Sequence, residues 1–182
     1  MNDKAIITTS TMEQVPALNQ LIKHSAKELS RGFYTDIETA AAIDYVFGVD
    51  TALIKDGSYF TATINGELAG CGGWSRRRTM YGGDQRPMGD ADLLDPNKDA
   101  ARIRAFFIAP QAARKGVAKA IFEACQIAAK AYGFQRLELM ATLPGVPFYS
   151  AIGFQKIEDK VDVLPNGVPL AFVFMQKSIC II

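Results

Sequence analysis

The segment from residue 101 to residue 142 sets the tightest limit on what this chain can fold into. "ARIRAFFIAP" (101–110) is rich in strand-forming residues and stops at Pro110. A helical pattern then runs from Gly116 to Tyr132. Val117, Ile121, Ala124, Cys125 and Ala128 share one stripe, with Lys119, Glu123, Gln126 and Lys130 among the outward positions. Gly133 is placed to end it. "RLELMAT" (136–142) is the next strand. A strand, a helix and a strand of these lengths close into a right-handed crossover with the strands parallel.

The flanking sequence adds hairpins and helices to this unit. "KAIITTST" near the start is a short β-like run. A helix is expected from about Thr11 to Leu29, its stripe formed by Val15, Leu18, Leu21, Ile22, Ala26 and Leu29. Ser10 and Glu13 have capping-box spacing, and Pro16 blurs the start. A second box, Thr35 with Glu38, opens a helix through about Phe47, stopped by Gly48. Thr51–Lys55 reads as a helical turn. Tyr59–Ile64 and Leu68–Trp74 are strands joined by Asn65-Gly66, the strongest short hairpin signal. A short helix is expected around Phe148–Ile152. The chain then forms a hairpin of Phe154–Val163 and Val168–Lys177, turning at Pro165-Asn166-Gly167. Residues 75–100 are turn-rich and patternless, too long for an ordinary connection. They read as a mobile flap inside a single domain spanning 5–178.

Charge excludes some functions. The 182 residues carry 20 basic and 19 acidic side chains, a formal net charge of +1. A dedicated nucleic-acid binder has a strong basic excess. The triplet Arg76-Arg77-Arg78 lacks interleaved aromatics and reads as a solvated loop, or else as a contact for an acidic substrate or phosphates. No apolar stretch reaches the roughly 20 residues of a membrane span, and "MNDKAIITTSTMEQ" lacks a signal-peptide core. The three cysteines, Cys71, Cys125 and Cys180, have no metal-ligand spacing. These features lead to the expectation of a cytoplasmic protein without metal, nucleic-acid or membrane partners.

The chemistry-bearing stretch is "APQAARKGVAKAI" (109–121). A helix start carries unpaired N–H groups and about half a positive charge, and it accepts phosphate readily. Gly116 lets a ligand approach the backbone, Ala118 keeps the next turn small, and Arg114 and Lys115 add positive charge. A phosphate or pyrophosphate site fits these residues. An ordinary helix start with solvated basic residues fits them as well. No G-x-x-x-x-G-K-[ST] and no G-x-G-x-x-G is present, so neither a P-loop nor a Rossmann fingerprint applies.

"FFIAPQAARKGVAKAIFEAC" resembles the acyl-CoA-binding segment of the GNAT N-acetyltransferase superfamily, in which a strand and a proline precede [QR]-x-x-G-x-[GA] at a helix start. Gly116 and Ala118 match; Ala113 stands at the first position. "PFYSAIGF" resembles the superfamily's Y-x-x-x-G-F segment through Tyr149, Gly153 and Phe154. Both segments fall in the expected order, and the likeness extends over about residues 5–178. The resemblance implies an α/β (α+β) fold. Its mixed, mostly antiparallel sheet has about six or seven strands, flanked by helices around the central βαβ unit.

It also implies transfer of an acetyl group from acetyl-CoA, as co-substrate, to a primary amine of a small molecule or peptide. The backbone of Arg114, Lys115, Gly116, Val117 and Ala118 would hold the pyrophosphate. The strand edge at Phe107, Ile108 and Ala109 would hold the pantetheine arm, and Tyr149 would serve the leaving thiolate as general acid. A non-catalytic acyl-CoA-binding sensor is the alternative. Its support is the absence of an obvious base: Arg102 and Arg104 stand where many relatives carry a carboxylate. Glu138 and Asp99 lie nearby, and His24, the sole histidine, falls in the first helix. Trp74 and Phe33-Tyr34 are read as packing residues ahead of a substrate-wall role, and Cys71 has no histidine partner. The C-terminal hairpin and the "SICII" tail offer an edge for a homodimer.

Overall fold

A computed structural model describes residues 4–86 and 92–180. Its sheet contains β1 (Ile6–Thr9), β2 (Tyr59–Ile64), β3 (Glu67–Ser75), β4 (Ala101–Ile108), β5 (Arg136–Thr142), β6 (Gln155–Val163) and β7 (Pro169–Ser178). The seven strands lie in the order β1-β2-β3-β4-β5-β7-β6. β4 and β5 are parallel, and the other neighbours are antiparallel. The helices are α1 (Val15–Leu29), α2 (Asp36–Tyr45), α3 (Thr51–Lys55), α4 (Val117–Ala131) and α5 (Val146–Ala151). The mixed α/β architecture with its mostly antiparallel sheet agrees with the expectation.

Local chemistry explains the boundaries. Asn65 and Gly66 both have positive φ, 52° and 83°, as the tight turn between β2 and β3 requires. The Thr35–Glu38 box forms as read: the Glu38 N–H donates to Thr35 Oγ1 and the Thr35 N–H to Glu38 Oε2. The first box is one residue further on than Ser10 and Glu13. Thr11 and Gln14 form it, opening a 3-10 turn that leads into α1. Ser10 is instead buried, its hydroxyl 2.6 Å from that of Thr61 on β2. Pro16 fits because it sits in the first turn of α1, where its missing N–H costs nothing.

Two departures from regular pairing shape the centre of the sheet. Between β3 and β4 the register jumps from Cys71↔Phe107 to Gly73↔Arg104, so Ala105 and Phe106 oppose the single residue Gly72. Ala105 takes the left-handed conformation, φ 52°, at this bulge. Gly72 is required there: a Cβ on it would lie 2.5 Å from the Phe106 ring. The second departure is between β4 and β5. They pair only at Ala101↔Leu137 and Arg102↔Glu138, and beyond that point the two strands share no further register.

Candidate active site

The gap between β4 and β5 opens into a cleft of about 1340 Å³. β4 forms one wall from Ile103 to Ile108, Leu139 and Met140 of β5 lie opposite, and the start of α4 and the α5 turn complete that end. The end of α1, the segment after α2 and residues 80–82 close the other end.

The hydrogen-bond ladder determines what β4 can offer. The Ala109 N–H donates to the Ala69 carbonyl at 2.9 Å, and the Ala109 carbonyl accepts from Ala112 N–H at 2.8 Å. Ala109 therefore has both backbone groups engaged. Gly70↔Ile108 is accordingly a pair without mutual hydrogen bonds, and Phe107 turns its backbone toward Cys71 on β3. By alternation, Phe106 and Ile108 turn theirs toward the gap. Of the expected edge residues Phe107, Ile108 and Ala109, the ladder leaves Ile108 free, and it adds Phe106. The pairing of Ala109 with Ala69 sets this alternation, and no sequence pattern marks that register.

The start of α4 is built for exposure of its amides. Gly116 is the N-cap, in the left-handed conformation with φ 79°, and no side chain caps it. Arg114 is also left-handed, φ 63°. The first intrahelical bond runs from Ala120 N–H to Gly116 O, so the N–H groups of Val117, Ala118 and Lys119 have no i−4 partner. A Cβ on Gly116 would meet nothing within 4 Å, so the space above this turn is open. Arg114, Gly116, Val117, Ala118 and Lys119 all line the cleft. These features suit a phosphate-bearing ligand: free donors, a helix dipole, nearby cations and open space.

Tyr149 lies in α5 and lines the same cleft. Its ring is packed by Phe106, Phe148 and Phe154, with centroids 6.4, 5.2 and 5.6 Å away. Burial, with a smaller contribution from Cys125, holds the phenol above its ordinary range. Among the described residues, no group makes a hydrogen bond to its hydroxyl. Gly153 follows α5 with φ 96° and lets Phe154 fold back, its N–H on the Tyr149 carbonyl at 2.9 Å.

The remaining candidates are distributed elsewhere. Glu138 is ion-paired with Arg102 and accepts from Gln176 Nε2 at 2.9 Å. Asp99 accepts from the Asp95 N–H at 2.8 Å and lies 3.7 Å from Arg78. His24 is exposed on α1. Arg104 is buried and reaches Asp50 Oδ2 at 2.8 Å, with the carbonyls of Thr79 at 3.1 Å and Gly82 at 2.7 Å. Trp74 is core, beside Tyr132 and Phe134. Tyr34 is core as well, donating to the Ala171 carbonyl and accepting from the Leu143 N–H. Phe33 instead lines the cleft and is about half exposed. Cys71 is fully buried, which pushes its thiol up to about 12. The arginine triplet is engaged by the protein itself, Arg76 on the Tyr132 hydroxyl, Arg77 on Asp56 and Arg78 beside Asp99. Among the described residues no cluster of three or more His, Cys, Asp or Glu could hold a metal ion, and no helix is long and apolar enough to cross a membrane.

A mostly antiparallel sheet that parts at its single parallel pair, with an uncapped helix start at the opening, defines an acetyltransferase class of fold. Residues 51–178 match the acetyltransferase (GNAT) domain model, and the chain belongs to that family. No curated protein sequence matches it. Among solved structures it is similar to a GCN5-related N-acetyltransferase from Rhodopseudomonas palustris at 19% identity and TM-score 0.71, covering 97% of this chain and 96% of that one. It is also similar to the PaiA N-acetyltransferase of Thermoplasma acidophilum, solved in complex with coenzyme A, at 14% identity and TM-score 0.62, covering 96% and 99%. A ribosomal-protein-alanine N-acetyltransferase from Brucella melitensis is similar at 15% identity and TM-score 0.61, covering 96% and 99%. At such identities the likeness is one of fold.

Proposed function

We propose that the protein is an N-acetyltransferase that moves an acetyl group from acetyl-CoA to a primary amine of a small molecule or peptide by direct attack. The observation that carries this reading is the convergence, in one cleft, of the free amides of α4, the unpaired edge of β4 and the hydroxyl of Tyr149.

Acetyl-CoA supplies an activated acetyl thioester. The N–H groups from Gly116 to Ala118, with Arg114 and Lys115 beside them, bind its diphosphate. The backbone of Phe106 and Ile108 holds the pantetheine arm as an added strand, and an N–H there stabilises charge on the thioester oxygen. The amine nitrogen forms the new bond to the carbonyl carbon, and the C–S bond breaks. Tyr149 donates a hydrogen bond to the departing sulfur. Its phenol, held above about 10 by burial, is a weaker acid than a thiol of pKa about 8.5, so it stabilises the sulfur without giving up its proton at equilibrium. The proton the thiol finally carries is the one the amine loses.

One observation favours the non-catalytic acyl-CoA sensor. Among the described residues, no histidine and no carboxylate lines the acceptor end of the cleft. A thiol-release assay separates the two readings. An amine-dependent burst of free CoA supports transfer; tight acetyl-CoA binding with no release for any amine supports the sensor.

A further inference from the structure

The acceptor end of the cleft is bridged, and among the described residues no free carboxylate lines it; both features bear on what can enter it. Residues 79–86 span from the end of α2 to the β6–β7 hairpin. On one side the N–H groups of Gly83 and Asp84 donate to the carbonyls of Val46 and Val49, both at 2.9 Å. On the other side Asp162 of β6 accepts from the Tyr81 hydroxyl at 2.6 Å and from Arg86 Nη1 at 2.7 Å. The Tyr81 ring rests on Phe172 of β7, centroids 5.0 Å apart. Beneath the span, Arg104 fastens the carbonyls of Thr79 and Gly82 to β4.

The lining under this bridge is dominated by Phe33, Phe47, Met80, Tyr81, Phe106 and Phe172, with Ser25, Ser30 and the Asp50-paired Arg104 as its polar members. Among the described residues that line the cleft, Glu123 is the one carboxylate, and it sits on α4 at the opposite end, beside Lys119. Of the carboxylates at the bridge, Asp50 is paired with Arg104 and Asp162 with Arg86, while Asp84 accepts from the Thr51 N–H and hydroxyl and does not line the cleft. Among the described residues no unpaired carboxylate lines this end of the cleft to balance a second ammonium, and burying an uncompensated charge is strongly unfavourable. Lying between the segment after α2 and the β6–β7 hairpin, the bridge shortens this end of the cleft and leaves less room for an extended chain than for a compact molecule.

We propose that the acceptor is a small primary amine with an apolar body of about aromatic size and no second charge, rather than a polyamine or a protein N-terminus. The inference rests on the acetyl-transfer reading and narrows it. Flat aromatic bodies suit the ring-lined space, and the bridge limits their length.

Three probes test it: phenethylamine, spermidine and a hexapeptide with a free alanine N-terminus. Thiol release from acetyl-CoA gives kcat/KM, and calorimetric titration into the CoA-loaded protein gives affinity. Phenethylamine is expected to exceed both others at least about tenfold in kcat/KM, with the same ranking in affinity. Phe33→Glu puts a carboxylate at the half-exposed mouth and is expected to raise spermidine turnover relative to phenethylamine by about three- to fivefold. Leu29→Glu, also at the mouth, serves if that variant folds poorly. Spermidine or the peptide matching phenethylamine overturns the inference while leaving acetyl transfer intact, and failure of all three to bind overturns it as well. A retained affinity ranking without thiol release from any amine sustains the acceptor class and removes the transfer reaction instead.

Discussion

Arg102 of β4 and Glu138 of β5 face each other at the last paired position before the strands part, and their side chains form a buried ion pair there. The pair sits at the vertex of the cleft. Burial lowers the Arg102 guanidinium to about 10, so it depends on nearby anions to stay charged at low cost. Glu138 also holds Gln176 of β7 and so ties three strands together. Glu138→Gln removes the directly paired anion and leaves Asp99 as the remaining negative charge on this buried cation, and it is expected to cost about 2–4 kcal/mol in urea unfolding. The double variant Arg102→Met/Glu138→Leu is expected to regain most of that loss. An unchanged unfolding midpoint for Glu138→Gln means the pair does not hold the vertex.

The bulge at Ala105 depends on a missing side chain opposite. Gly72→Ala drives a Cβ into the Phe106 ring, which is itself packed on Tyr149. A loss of about 1–3 kcal/mol is expected. A fall in acetyl-CoA affinity is expected with it, because Phe106 carries part of the free edge. A variant as stable as the parent shows that the bulge can relax without cost.

Gly116→Glu combines backbone strain at φ 79° with a negative charge beside the helix start. Acetyl-CoA affinity is expected to fall at least about tenfold, read by thermal shift and calorimetry. Gly116→Ala meets no neighbour, so its cost is strain alone, about 1 kcal/mol. If Gly116→Glu binds acetyl-CoA like the parent, the diphosphate does not sit on this turn.

Tyr149→Phe keeps the ring packing and removes the hydroxyl. Turnover is expected to fall about 10²-fold with acetyl-CoA affinity changed little. The sign of the pH effect follows from burial, which raises this phenol above its usual value and keeps it protonated further into the alkaline range. The parent kcat/KM is therefore expected to rise with pH as the amine deprotonates, with no falling limb below about pH 10. A falling limb near pH 9 that disappears in Tyr149→Phe contradicts the raised value.

Much of the frame was legible in the chain because its signals are local. Gly116 and Gly133 bracket α4 within a residue of their expected places, and Thr35 with Glu38 opens α2 as read. Asn65-Gly66 and the turn at 165–167 fixed both hairpins through positive-φ positions. The misses are tertiary. Ser10 had the right spacing for a cap, but the Thr61 hydroxyl claimed it. Leu29 follows the α1 stripe yet ends at the cleft mouth, 37% exposed, because the stripe outruns the core there. Ala105 gives no hint of its left-handed backbone, and nothing in the sequence of β4 tells that Ala109 pairs with Ala69 and leaves Phe106 and Ile108 facing the gap. Arg104 with Asp50, and Tyr81 with Asp162, join residues far apart in the chain, and no periodicity encodes such pairs.

The most direct measurement is a titration of ¹⁵N-labelled protein with CoA, read at the backbone amides. If the start of α4 holds the diphosphate, the largest shifts fall on Gly116, Val117 and Ala118, with smaller ones at Phe106 and Ile108. If CoA binds and those amides stay where they were while others move, the site assigned to the cofactor is wrong, and with it the role given to Tyr149.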